Sequence, residues 1–476
     1  MVVKHTIYNL IGLGVPLIAA VLTIPVLINE LGTERFGLLT LIWAVVSYFG
    51  LFDMGLGRAL TQHLAILFAK KEHEDVGVVV ITAIVLMALL GLFAGSVMVF
   101  MAPWAVGFIE DVPDKKETIY SIYAMSLAMP AIIMTSGFRG VLVAKHAFGI
   151  VNMIRLPMGL FTFLGPWAVV IYGQPKLDLI ALVLVAGRIV ACVIHGWFAW
   201  RVLPNNRGPL SVSIKHIKTL FISGGWMTVS NVISPFMGYV DRFLIGAIVS
   251  ATAVAYYVTP YEIVTKLWIV PGALTAVLFP TFAAQVARCS EESWKLFNKA
   301  VYWLFILLLP ISITLMFFAH DIMSLWISDE FASNSAILLQ VFSVGIIFNC
   351  IAHVPFSLIQ SAGQAKLTAI THIIELPIFI AILWWMTSSY GVMGAAMAWL
   401  LRMLVDSLVM FVLSAQLLGR PIKSLFTRNV MGITFLSGVA MLGVLFEPLF
   451  VRMVWAAVVS LVVVIIFIKS RIYKTV

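Results

Sequence analysis

Charge is scarce in this chain. Only 11% of its 476 residues are Asp, Glu, Lys or Arg, where soluble domains carry about 25%. Long polar segments are lacking too. The longest connections, near 103–117, 201–218 and 320–336, fall well short of a domain, which excludes a soluble catalytic domain. Cysteine is nearly absent: Cys192, Cys289 and Cys350 stand singly in or beside apolar runs. An odd count without ligand spacing provides neither a disulfide framework nor a metal centre, so they read as small buried hydrophobes. Neither G-x-x-x-x-G-K-[ST] nor H-E-x-x-H occurs, so phosphate-loop and zinc-protease chemistry have no motif. No catalytic residue and no metal ligand is assigned. His195 and His353 lie alone in apolar runs and read as packing histidines.

What is present is hydrophobic length. Hydrophobic residues make up 62% of the chain, and the mean hydropathy is +1.07. Apolar runs of about 17–25 residues can cross a bilayer as helices. About fourteen such spans are expected, starting near residues 7, 36, 77, 118, 156, 179, 219, 254, 300, 337, 369, 391, 429 and 453. The fold class is therefore an all-α integral membrane protein. The first apolar stretch, from about Ile7 to Ile28, is longer than a signal core and reads as a retained span.

Lys and Arg orient the spans, because short cytoplasmic loops are enriched in them. With the N-terminus inside, 19 of the 30 fall in inside loops. Arg35, Lys115, Lys116, Lys176 and Arg452 fall outside, and six lie within spans. Both termini are expected to be cytoplasmic. The net charge of +9 is mostly this asymmetry, so it does not point to nucleic acid.

The two halves repeat. IVNMIRLPMGL (150–160) aligns without gaps on ITHIIELPIFI (370–380), and Arg188 matches Arg402 at a similar offset. Spans 1–6 (residues 1–205) and 7–12 (206–418) read as two pseudo-symmetric six-helix bundles. Residues 419–476 add two further spans and a basic tail. Parallel repeats of this kind occur in secondary transporters, with the substrate site near the midplane.

The chemistry lies in the ionisable groups within the spans. One charge at the bilayer centre costs at least about 2.5–3.5 kcal/mol, so such groups face a wet cavity, a partner or a substrate. The stretch from Pro235 to Pro280 holds Asp241, Arg242, Glu262 and Lys266. Glu262 and Lys266 are i,i+4 and share a helix face, as do Arg402 and Asp406. Each pair could simply hold helices together. For Glu262 and Lys266 a second reading stands beside that one: Pro260, Pro271 and Pro280 break their helix, and broken helices line binding sites. Pseudo-symmetry sets spans 1, 2, 7 and 8 across from each other, so that Arg58, Arg242 and Lys266 converge on a cationic cavity. Such a cluster suits an anion, phosphate in particular. Asn231 and Ser234 could add hydrogen bonds. Asp53, Asp241 and Glu262 are charge partners or coupling acids for a sodium ion or proton; no other cofactor is expected.

At LGTERFGLLT, FDMGLGRAL, DRFLIG, AYYVTPYEI and VLFPTFA the chain resembles the bacterial oligosaccharide flippases of the polysaccharide transporter family. These are relatives of the multidrug-and-toxin-extrusion (MATE) transporters in the MOP superfamily. The resemblance implies a V-shaped, MATE-like fold and a place in the bacterial cytoplasmic (inner) membrane. It implies movement of a polyprenyl-diphosphate-linked oligosaccharide between leaflets by alternating access, for O-antigen, capsule or exopolysaccharide assembly. The implied partners are the lipid-linked oligosaccharide, membrane lipids, a polysaccharide polymerase and a chain-length regulator. The first span carries no internal charge, unlike relatives that carry peptidoglycan precursor, which counts against that substrate. The alternative is a cation-coupled multidrug exporter of the same fold. A membrane polymerase or ligase is a third reading, disfavoured by short outside loops.

Overall fold

A computed structural model describes residues 2–49, 56–70, 72–109, 112–145, 147–205, 207–213, 233, 236–286, 290–425, 454–455 and 458. The regular elements among them are all helical, as hydrocarbon demands of a chain that must satisfy its own backbone. The long helices are α1 (Val2–Leu31), α2 (Thr33–Phe49), α3 (Leu56–Lys70), α4 (Val76–Gly107), α5 (Lys115–Ala144), α6 (Phe148–Tyr172) and α7 (Leu177–Val202). They continue as α8 (Val240–Ile248), α9 (Ala251–Thr265), α10 (Ile269–Val286), α11 (Ser290–Phe317), α12 (Ala319–Trp326), α13 (Asp329–Ser361) and α14 (Ala365–Leu417). Among the described residues seven of these helices are long and apolar enough to cross a membrane. The chain is a multi-pass membrane protein. The expected spans from 429 and 453 and the basic tail lie almost wholly outside the described residues, as does the first part of the span from 219.

Two expectations are corrected locally. The second span, expected from near residue 36, begins at Thr33, and the chain turns at Gly32 alone (φ 80°). The connection expected near 320–336 is not a loop but holds α12 and the start of α13. There Ala319 and Met323 are buried while Leu325 is exposed, so one turn-spaced face packs on α13.

The 53-residue α14 would be roughly 80 Å long if straight, far more than the ~30 Å hydrocarbon core. It is broken at Gly391, whose φ of 59° and ψ of −141° leave the helix, a conformation open to glycine. The two legs correspond to the expected spans from 369 and 391. Pro157 lies inside α6 and Pro377 inside the first leg of α14, and neither interrupts its helix.

The chain divides into two compact units, Met1–Ala255 and Tyr256–Val476. In the first, α5 is the hub, packed by α4, α7, α3 and α2. Its connections sort to two ends. At one, Arg35 Nη2 donates to Glu117 Oε2 at 3.2 Å and the Leu177 amide to Glu117 Oε1 at 2.6 Å. Asp114 caps α5 there by accepting from the amides of Lys116 and Glu117. At the other end, Lys145 Nζ sits 3.8 Å above the Phe68 ring. The Gly77 amide there donates to the Arg207 carbonyl at 2.6 Å, and the Ser213 amide to Thr82 Oγ1 at 3.0 Å. Arg35 thus sits at the end opposite to Lys145 and Arg207.

In the second unit α13 is the hub, packed by α14, α11, α12 and α10. Arg420 and Glu291 pair at one end. At the other, Tyr256 meets Phe331 edge-on at 4.9 Å.

Candidate functional site

Of the three prolines expected to break this helix, Pro260 lies inside α9 and α10 runs on through Pro280; the helix is interrupted only ahead of Pro271. Between α9 and α10 the backbone tightens to a 3₁₀ turn at Lys266–Trp268. Pro271 explains it: its ring carries no N–H and crowds the carbonyl four residues back, at Leu267. Glu262 sits one turn before the break and Lys266 opens it. Lys266 Nζ lies 2.7 Å from Glu262 Oε2, so the expected shared face is formed. Across the break, Trp268 Nε1 donates to Asn349 Oδ1 on α13 at 2.6 Å.

The opposite face of α9 is held by aromatic rings. Tyr257 stacks near Tyr261, and Phe342 stands edge-on to both at 5.0 and 5.5 Å. Trp399 closes the block against Tyr261 and Phe342 at 5.7 and 5.3 Å, with its ring against Gly345, where no side chain would fit. All four rings are buried. Edge-to-face pairs of this kind each contribute about 0.5–1.5 kcal/mol beyond area burial. The block fixes α9 in rotation, and with it the direction in which Glu262 and Lys266 point.

In the first unit, α8 carries Asp241 and Arg242, which are 0% and 4% exposed. Asp241 Oδ1 accepts from the Arg242 amide at 2.8 Å, and the Arg242 guanidinium lies 5.1 Å from the Tyr239 ring centroid. Arg58 belongs to the first turns of α3, and its side chain lies outside the described residues, as do Asp53, Asn231 and Ser234. Of the expected cationic cluster, Lys266 has a carboxylate partner and Arg242 is buried.

A second polar cluster was only half visible in the sequence. Arg402 was expected beside Asp406 alone. Its Nε instead donates to Glu375 Oε1 on the other leg of α14 at 2.8 Å, with the Phe379 ring 5.0 Å away. Asp406 Oδ1 lies 3.8 Å from His372 Nε2. His372 and Glu375 are i,i+3 and share a face, a signal available in the sequence. His372, Glu375 and Asp406 each present a ligand atom within 4.8 Å of the others and could hold a cation. The Arg402 guanidinium already balances one of the carboxylates. His195 is a packing histidine: buried, with Nδ1 2.8 Å from the Ala191 carbonyl. Cys192 and Cys350 are buried free thiols; Cys289 lies outside the described residues.

A family model described as polysaccharide biosynthesis protein matches residues 2–286. The "Putative O-antigen transporter" of Shigella flexneri is 29% identical over 415 residues, covering 86% of this chain and 96% of its own. The "Probable low-salt glycan biosynthesis flippase Agl15" of Haloferax volcanii is 22% identical, covering 93% and 88%. Among solved structures, the lipid II flippase MurJ in an inward closed conformation matches 99% of this chain and 100% of its own, with a TM-score of 0.73 at 14% identity. An inward-facing MATE-family multidrug transporter of the MOP superfamily matches 89% and 96%, with a TM-score of 0.73 at 13% identity. The chain has the fold that these two share.

Proposed function

Because the chain belongs to the polysaccharide biosynthesis protein family, we propose that it is a flippase for lipid-linked glycans. It moves polyprenyl-diphosphate-linked oligosaccharide units across the bacterial cytoplasmic membrane by alternating access, for O-antigen, capsule or exopolysaccharide assembly. It makes and breaks no bond. In this reading the chain has about fourteen spans, with both termini cytoplasmic. The oligosaccharide passes to a polymerase under a chain-length regulator on the outer side.

The observation that carries the reading is the match over nearly the whole length of a relative named for O-antigen transport. The polar groups within the spans agree with it. Arg242 and Lys266 are cations at depths where charge is costly, and guanidinium and ammonium groups recognise diphosphate. Arg58 and Asn231 join them as candidate contacts. Arg242 is covered in this structure and meets substrate in another state of the cycle. Asp53, Asp241 and Glu262 serve as charge partners, and a sodium ion or proton supplies the driving force.

The test is reconstitution. Purified protein in liposomes should carry extracted lipid-linked oligosaccharide to the far leaflet, where an added glycosidase or lectin reaches it. Export of lipophilic cations without any lipid translocation would overturn the reading in favour of a multidrug exporter.

A further inference from the structure

We propose that the end of α7 binds the headgroup of an anionic phospholipid through two arginines, Arg201 and Arg207, each laid on a tryptophan. The inference goes beyond the flippase reading, because it concerns a resident lipid of the bilayer and not the cargo.

The exposed face of α7 gives the first argument. Leu182, Val190 and Val193 are 51%, 53% and 65% exposed, and Trp197 and Trp200 continue the same stripe at 49% and 42%. These places follow one another at helical spacing, and Leu184, Ala191, Cys192, His195 and Ala199 on the other side of the helix are buried. A stripe of leucine and valine exposed along a spanning helix faces hydrocarbon. Trp197 lies twenty residues after Leu177, where α7 begins, which is roughly 30 Å of helix and matches the ~30 Å hydrocarbon core. The two indoles therefore stand where the lipid-facing stripe reaches the headgroups, the usual place of interfacial tryptophan.

The placing of the cations is the second. The Arg201 guanidinium lies 4.0 Å from the centroid of the Trp197 ring, one turn back, and the Arg207 guanidinium 4.3 Å from that of Trp200. Arg207 reaches its indole from the connection after α7, and that connection is fixed on α4. The Gly77 amide donates to the Arg207 carbonyl at 2.6 Å. Gly208 turns at a φ of 74° against the Glu74 carbonyl, where no side chain would fit. Among the described residues neither guanidinium has a carboxylate partner.

The chemistry is the third. A ring under a guanidinium holds its plane and leaves the charge unneutralised, while the N–H donors stay at the edge of the fork, the geometry that matches phosphate. One Arg207 donor is directed to the Pro204 carbonyl at 3.4 Å, and a guanidinium has five. Groups placed in advance lose little side-chain freedom when the ligand arrives. A choline headgroup balances its phosphate with its own ammonium, whereas a glycerol headgroup leaves the phosphate charge uncompensated. Two unneutralised guanidinium groups at headgroup depth therefore select the anionic lipid.

The experiment is native mass spectrometry of the full chain titrated with phosphatidylglycerol or phosphatidylcholine. Wild-type protein should bind phosphatidylglycerol about tenfold tighter, a step of about 1.4 kcal/mol. The double variant Arg201→Gln, Arg207→Gln should bind the two lipids equally, with its melting temperature in phosphatidylcholine unchanged. Trp197→Leu, Trp200→Leu keeps both cations and the apolar surface but removes the rings, and should lose most of the preference. Lys299→Gln, Lys423→Gln removes the same charge from exposed places elsewhere and should keep it. Equal losses in the lysine and arginine variants would assign the preference to the general field of a basic protein and overturn the site, as would a wild type without preference. Bare polyprenyl diphosphate that displaces phosphatidylglycerol at equal concentration would make the place a cargo contact and overturn the resident-lipid assignment.

Discussion

Lys266 Nζ lies 2.7 Å from Glu262 Oε2, one helical turn away, and yet the two side chains remain 40% and 37% exposed. A wet ion pair of this kind contributes at most about 1 kcal/mol to stability. Its place within a span is therefore not explained by stability. Lys266→Gln and Glu262→Gln should each leave thermal unfolding in detergent within a few degrees of wild type. Lys266→Gln should nonetheless reduce surface polysaccharide about tenfold in a strain that depends on this gene. The charge-swapped double variant Glu262→Lys, Lys266→Glu should match the wild type in stability and still fail in transport. A melting point that falls in step with polysaccharide across the three variants would make the pair a brace and nothing more.

The Arg402–Glu375 pair is the contrasting case, because its side chains are only 9% and 11% exposed. Removing one partner of a buried pair leaves an uncompensated charge and costs about 3–5 kcal/mol. Arg402→Met should therefore lower the yield of folded protein and its melting temperature sharply. The double variant Arg402→Met, Glu375→Met should recover most of the loss, since an apolar pair of similar volume replaces a buried ion pair at little cost. Thermal unfolding of the three variants separates the outcomes. A double variant as unstable as the single one would show that Glu375 and Arg402 do not act on each other.

The contrast also marks what the sequence could and could not disclose. The Glu262–Lys266 pair was legible because i,i+4 spacing is a property of one helix, and the break beside it because proline acts on its own backbone. Proline alone does not decide it, since α6 and the first leg of α14 continue through Pro157 and Pro377. Arg402 meeting Glu375 depends on how two legs fold back across Gly391, a tertiary matter that residue spacing does not carry. Trp268 reaching Asn349 across 81 residues is of the same kind. The ring block of Tyr257, Tyr261, Phe342 and Trp399 was invisible for another reason. In a segment apolar on every side, aromatic residues give no contrast that tells an inward face from a lipid face. Helix α12 was missed because its eight residues are too short to register as a span.

Glu117 makes the sharpest test of how the first unit is held at one end. Its two carboxylate oxygens have separate tasks: Oε2 accepts from Arg35 after the Gly32 turn, and Oε1 accepts from the amide that opens α7. The ion pair is partly open, with Arg35 35% exposed, and so contributes under about 1 kcal/mol. The amide of Leu177 belongs to a buried residue, and leaving it unsatisfied costs about 1–3 kcal/mol. Glu117→Gln keeps a carbonyl oxygen for that amide and loses only the charge, so its melting temperature should fall slightly. Glu117→Ala removes both acceptors and should fall further, with faster amide hydrogen exchange at the first turn of α7 and unchanged exchange at the Gly77–Arg207 end. Equal losses for the two variants would assign the stabilisation to the Arg35 pair instead, and Arg35→Gln should then reproduce it alone.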